Sequence, residues 1–181
     1  MRIPPDTWEG CVWAKAVCAL FYSPNHPTMN HRNIKLWQVS EVRLSYHSKV
    51  QISDSPQITS SKDAANVLWA NWSNDLELLE SFNVLLLNRA NRVKGIFTAS
   101  KGGVSGTVVD AKIIFAAAIK SLACSIVISH NHPSGNLQPS KVDIDLTNKL
   151  VEAGKVLDVT VLDHLILTTE GYYSFADEGL I

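Results

Sequence analysis

The chain has 181 residues, of which 46% are apolar and 18% charged, a balance that lets one domain bury a core and excludes a disordered chain. Sixteen Lys+Arg against seventeen Asp+Glu leave a net charge of -1, which argues against a protein that coats duplex nucleic acid. No apolar run approaches the roughly 18 residues of a membrane-spanning helix, and Cys11, Cys18 and Cys124, without a C-x-x-C spacing, describe neither a disulfide framework nor a zinc ribbon and fit a reducing cytoplasm.

Residues 1–35 read as an N-terminal extension, disordered or added by an upstream start site, and 36–181 as the domain. Cys11 to Tyr22 is apolar apart from Lys15, but Arg2 is outweighed by Asp6 and Glu9, so the basic start of a signal peptide is missing. His26 and His31 in this extension read as loop histidines. Val42, Leu44 and Tyr46 alternate as in a half-buried strand, with His47 at its end on the surface. Ser60 to Asp63 resembles a capping box, followed at helical spacing by Ala64, Val67, Leu68 and Trp72. Phe82 to Leu87, a turn at Asn88 to Asn91, and Val93 to Thr98 predict a hairpin, and Lys101 to Thr107 a glycine-rich loop. Asp110 caps a helix over Ala111 to Leu122, and Cys124 to Ser129 predicts a central strand with Cys124 in the core. Ser140 opens a helix with Ile144, Leu146, Leu150, Val151 and Leu157 on or near its inward stripe. Val159 to Thr168 reads as a strand, turned by Glu170 and Gly171 into Tyr172 to Phe175. Strands alternating with helices and joined by hairpins predict an α/β (α+β) domain around one mixed sheet.

The sharpest motif is His130-Asn131-His132-Pro133-Ser134-Gly135, followed by Ser140 and Asp143. It starts where an apolar strand ends. In extended chain residues 130 and 132 point to one side, Pro133 and Gly135 turn the chain, and Asp143 returns in the first turn of the next helix. Two imidazole nitrogens and a carboxylate oxygen form a zinc set that leaves a fourth position for water, whose pKa the metal lowers to about 7. Ser140 and Asp143 also fit a capping box, and an Asp spent on the cap is lost to the metal, so these two uses compete.

These residues resemble the JAMM signature of the JAB/MPN+ metalloprotease family, His-x-His-Pro followed by Ser-x-x-Asp. HNHPSG, PSKVDIDLTNKLVEAGK, VLDHLIL and GYYSFADEG resemble the RadC-like branch more closely, from about residue 57 to the end. Residues 1–56 show no glycine-hinged helix pair, so the chain resembles a short form without the helix-hairpin-helix module. The resemblance implies a mixed sheet sandwiched by helices, in layers like those of cytidine deaminases, and one zinc ion held by His130, His132 and Asp143. It implies a hydrolase of peptide or isopeptide bonds acting on a peptide or protein substrate, with Glu80 as general base. Spacing alone leaves Asp75, Glu77 and Glu80 open. It further implies that Ser140 donates to the oxyanion, beside its use as N-cap, and that Asp163 and His164 back the ligands, beside ordinary strand hydrogen bonding. The alternative function is a DNA-associated, repair-related accessory with a structural metal. Arg89, Arg92, Lys94 and Lys101, within thirteen residues, are expected on the hairpin and loop beside the site, as a solvated face or as a contact for DNA or an acidic peptide.

Overall fold

In a computed structural model, which describes residues 45–48, 50–73, 75–102 and 108–181, Ser60 opens the first α-helix of the described residues. Its hydroxyl accepts from the Asp63 amide at 3.2 Å, and α1 runs Ser61–Asn71. The reciprocal arm of the expected box goes one residue further back. Asp63 accepts from the Thr59 hydroxyl at 2.6 Å and its amide at 3.0 Å, bonds that hold the Asp63 carboxyl below its ordinary range. The extension over 1–35 with its cysteines and histidines, the strand positions Val42 and Leu44, and loop positions 103–107 lie outside the described residues. Tyr46 is described, and it is exposed in irregular backbone rather than in a strand. Its hydroxyl donates to the Lys94 carbonyl.

The apolar run after Glu80 forms β1 (Ser81–Leu87), buried at all seven positions, and β2 (Val93–Lys101) returns antiparallel to it. Asp110 caps α2 (Ala111–Lys120) by accepting from the Lys112 amide at 2.9 Å. Then come β3 (Ser125–Asn131), α3 (Lys141–Val156), β4 (Thr160–Leu167) and β5 (Tyr172–Ser174). The sheet order is β2-β1-β3-β4-β5, with β3 and β4 parallel and every other pair antiparallel. This is the mixed α/β sheet that the sequence predicts. Val84, Leu86, Ile126 and Ile128 pack one face against Ile114 and Phe115 of α2 and Leu150 of α3. Leu85, Leu87, Val127 and Leu165 pack the other against Ala64, Ala65 and Leu68 of α1. Burial on both faces is why β1 and β3 read as continuous apolar runs rather than as alternating ones.

Two details depart from the sequence reading. Cys124 is exposed rather than core: it precedes β3, where the chain alternates between buried Ala123 and buried Ser125 and turns the thiol outward. Leu157 is also exposed, because it sits past the end of α3, whose inward stripe ends at Gly154.

One irregularity positions the site. Val161 pairs with Ile126 but Asp163 pairs with Val127, so Leu162 is an extra residue in β4. An inserted residue reverses the facing of everything after it. Beyond the bulge, Asp163 turns toward the α1 side and His164 toward α3.

Candidate metal centre

The site lies at the carboxyl end of β3, beside the crossover into α3, where a parallel strand pair leaves a crevice. His130 is the penultimate residue of β3, and His132 follows the strand with its amide on the Leu167 carbonyl at 3.0 Å. The turn is closed by the Gly135 amide on the His132 carbonyl at 3.0 Å, with Gly135 at a φ of 78°, a conformation that glycine adopts without strain. The His132 Nδ1 donates to the Asn136 carbonyl at 2.5 Å, so Nε2 is the nitrogen free to bind a metal. Asp143 arrives in the first turn of α3.

The three side chains meet. His130 Nε2 lies 2.9 Å from His132 Nε2 and 3.4 Å from Asp143 Oδ1, and His132 Nε2 lies 3.9 Å from Asp143 Oδ2. One donor atom from each falls within 4.8 Å of the others, so the group can hold a metal ion. Bonds of about 2.0–2.1 Å at tetrahedral angles separate two ligand atoms by roughly 3.3–3.4 Å, a spacing these distances straddle. The donor set therefore fits zinc in kind and in spacing.

Asp143 resolves the competition between cap and ligand. A carboxylate has two oxygens, and Oδ2 accepts from the Ser140 amide at 2.7 Å while Oδ1 faces His130. The Ser140 hydroxyl accepts from the Asp143 amide at 3.2 Å, so the capping box is complete. The cap does not take Asp143 from the site; it aims it.

Burial sets the charge state of the rings. His130 is pushed down to about 4, first by desolvation and then by His132, against the opposing pull of Asp143. Desolvation also holds His164 well below the ordinary histidine value, helped by the two neighbouring rings. Both are neutral imidazoles at neutral pH, the form that binds metals. Phe82 lies parallel to His130 at 6.2 Å between ring centres, and Phe175 stacks on His164 at 4.6 Å.

Asp163 and His164 separate across the sheet. His164 Nε2 lies 2.8 Å from His130 Nδ1, so it touches a ligand directly. Asp163 instead accepts from the Ser174 hydroxyl at 2.6 Å and the Ala176 amide at 3.0 Å, tying β4 to the turn after β5. Glu80 is half-buried immediately before β1, with its carbonyl on the Gly102 amide at 2.8 Å. The β1–β3 register pairs Phe82 with His130, and continued by two residues it sets Glu80 across from His132 on the same face. Asp75 accepts from the Ser73 hydroxyl and pairs with Lys101 at 3.6 Å. Glu77 lines a groove of about 480 Å³ with His132, Pro133, Thr168 and Glu170.

A family model described as RadC-like JAB domain matches residues 58–180. The chain belongs to that family. Among relatives in this RadC-like group, a UPF0758 protein of Flavobacterium johnsoniae is 46% identical over 125 residues, covering 68% of this chain and 53% of the relative. A UPF0758 protein of Salinibacter ruber is 38% identical over 147 residues, covering 81% of this chain and 62% of the relative. The corresponding protein of Symbiobacterium thermophilum is 40% identical over 103 residues, covering 57% and 44%. The chain thus spans about half the length of the curated relatives it matches.

Two residues of this RadC-like site escape the sequence reading. Thr147 touches His164 Nδ1 at 2.6 Å, and its signal is a position four residues after Asp143, one turn along the same helix face. Asn131 faces the other side of the sheet and binds the segment before β1; alternation between two histidines predicts that facing. The cations do not gather beside the site. Arg89 and Arg92 lie at the hairpin turn, at the opposite end of β1, and Arg92 donates to the Ser55 carbonyl at 2.7 Å. Lys94 donates to the Leu122 carbonyl at 3.3 Å, and only Lys101 lies at the site end, opposite Ser81. Among the described residues, no helix is long and apolar enough to cross a membrane.

Proposed function

We propose that the chain is a zinc-dependent hydrolase that cleaves amide bonds of a peptide or protein, isopeptide links included. The observation that carries this reading is the convergence of two imidazoles and one carboxylate, with His132 at the wall of a groove. His130, His132 and Asp143 would hold the zinc ion, which would supply Lewis acidity toward a carbonyl oxygen and would make water a stronger acid. Glu80 takes the proton of the attacking water at its carboxylate and returns it to the leaving amine nitrogen. Ser140 uses its oxygen as an acceptor in the cap, which leaves its hydroxyl proton for the carbonyl oxygen as negative charge develops there. The groove receives the chain on one side of the scissile bond.

The test pairs metal uptake with turnover. Wild-type protein takes up one equivalent of zinc and hydrolyses members of a peptide and isopeptide library. His132→Ala loses both, and Glu80→Gln keeps the zinc and loses hydrolysis. Wild-type turnover in Glu80→Gln removes Glu80 from the mechanism, and a wild-type chain that takes up no zinc removes the reading.

A further inference from the structure

Behind His130 runs a chain of hydrogen bonds whose direction can be worked out by counting protons. Thr147 Oγ1 lies 2.6 Å from the Asp143 carbonyl oxygen and 2.6 Å from His164 Nδ1. A carbonyl oxygen only accepts, so the single hydroxyl proton of Thr147 goes to Asp143. Thr147 must then accept from His164, and His164 Nδ1 carries the proton. The ring has no solvent exposure, packs against Phe82 and Phe175, and pairs with no carboxylate among the described residues, so a charge there would stand buried without a counter-ion. The ring is neutral and its Nε2 is a bare lone pair. That lone pair lies 2.8 Å from His130 Nδ1, which must therefore be N–H. With its Nδ1 spent on His164, His130 has Nε2 to offer a metal ion, and that nitrogen faces His132 and Asp143.

We infer that Thr147 and His164 are positioning residues that lock His130 in the Nδ1–H tautomer and so ready the site for a metal ion. The relay starts and ends on one residue. The Asp143 carbonyl anchors it, and the Asp143 carboxylate stands opposite the nitrogen that it prepares. His132 reaches the same tautomer independently, through its bond to the Asn136 carbonyl. The two Nε2 atoms lie 2.9 Å apart with the Asp143 carboxylate beside them, three donor atoms turned toward one point where a cation can sit. The inference rests on the metal reading of the site, and it adds the residues that set ligand readiness. Partners of this kind cost about 10–100-fold in metal affinity when removed.

The test uses the full chain, stripped of metal with a chelator. Nitrogen-15 spectra of histidine-labelled, metal-free wild type are expected to show the proton on Nδ1 of both His130 and His164, whether or not the protein later takes up zinc. Zinc affinity, read by competition with a chromophoric chelator, is expected to fall at least tenfold in Thr147→Val and to return within about twofold of wild type in Thr147→Ser, as a hydroxyl-dependent effect requires. A proton on Nε2 of His130 in the wild-type spectrum overturns the inference, as does Thr147→Val binding zinc as tightly as wild type. A wild type that ignores zinc but shows the stated tautomers sinks the hydrolase and leaves the relay standing.

Discussion

Asn131 turns away from the histidines on either side of it and donates to the Leu79 carbonyl at 2.9 Å. The same amide group donates to the Leu76 carbonyl at 2.6 Å, and its oxygen accepts from the Ser81 amide at 2.7 Å. A side chain without solvent exposure thus fastens the segment that carries Glu77 and Glu80 to the strand that carries His130.

Replacing Asn131 by Ala leaves the Ser81 amide and two carbonyls without these bonds, and we expect a loss of about 2–4 kcal/mol in urea unfolding. Asn131→Asp is expected to be worse, since a carboxylate oxygen then faces two carbonyls. Faster hydrogen exchange at the Ser81 amide is the local signature. An Asn131→Ala protein as stable as wild type contradicts the clamp.

Gly154 gives a second stability prediction. A Cβ there meets the Val159 backbone oxygen at 2.4 Å, and that oxygen belongs to the turn that leads into β4. Overpacking of about 1–3 kcal/mol or more exceeds the roughly 1 kcal/mol that Ala gains over Gly in a helix. Gly154→Ala should lower the thermal midpoint by several degrees; an unchanged midpoint means that the turn yields freely.

Periodicity makes the sheet and helices readable because each element buries a face of fixed period. The bulge at Leu162 is different. Val159, Val161 and Asp163 alternate in sequence as if they shared a face, and only the pairing with β3 shows that the count slips by one. That slip sends His164 to His130 and Asp163 away from it, so the sequence reading could name the pair but not divide its duties. The cations fail for a related reason. Closeness in sequence along a hairpin is not closeness in space when seven residues of strand, at about 3.3 Å each, lie between turn and site. His130, His132 and Asp143 were legible because one turn and one helix cap bring them together locally, and Thr147 was not, because a threonine one turn after a ligand looks like any polar helix position.

Asp163 carries a pH dependence with a definite sign. Desolvation raises its carboxyl above the ordinary aspartate range, against the bonds from Ser174, Ala176 and His164 that lower it. The folded state therefore holds the proton more tightly than the unfolded chain, and stability falls as pH rises from about 4 through the raised value, then levels off. Asp163→Asn removes this ionisation. The stability of wild type relative to Asp163→Asn should decline across that window in urea titrations at successive pH values. A difference that grows in favour of wild type with rising pH contradicts the assignment.

The division of labour within the Asp143 carboxylate allows fold and metal affinity to be separated by two substitutions. Ser140→Ala removes the hydroxyl that accepts from the Asp143 amide, an N-cap contribution of about 1 kcal/mol, yet leaves the carboxylate in place. Asp143→Asn keeps an oxygen for the Ser140 amide and gives up a negative charge at the helix N-terminus, so the metal-free protein should change by less than about 1 kcal/mol. Its amide nitrogen then faces the lone pair of His130, and a neutral donor replaces the anionic ligand. Zinc affinity should fall beyond the about 100-fold that loss of an outer partner costs. Calorimetric melts and zinc competition on both variants give the readout: Ser140→Ala moves mainly the melt, Asp143→Asn mainly the affinity. Equal zinc affinity in Asp143→Asn and wild type would remove Asp143 from the ligand set, since its carboxylate would then serve the cap alone.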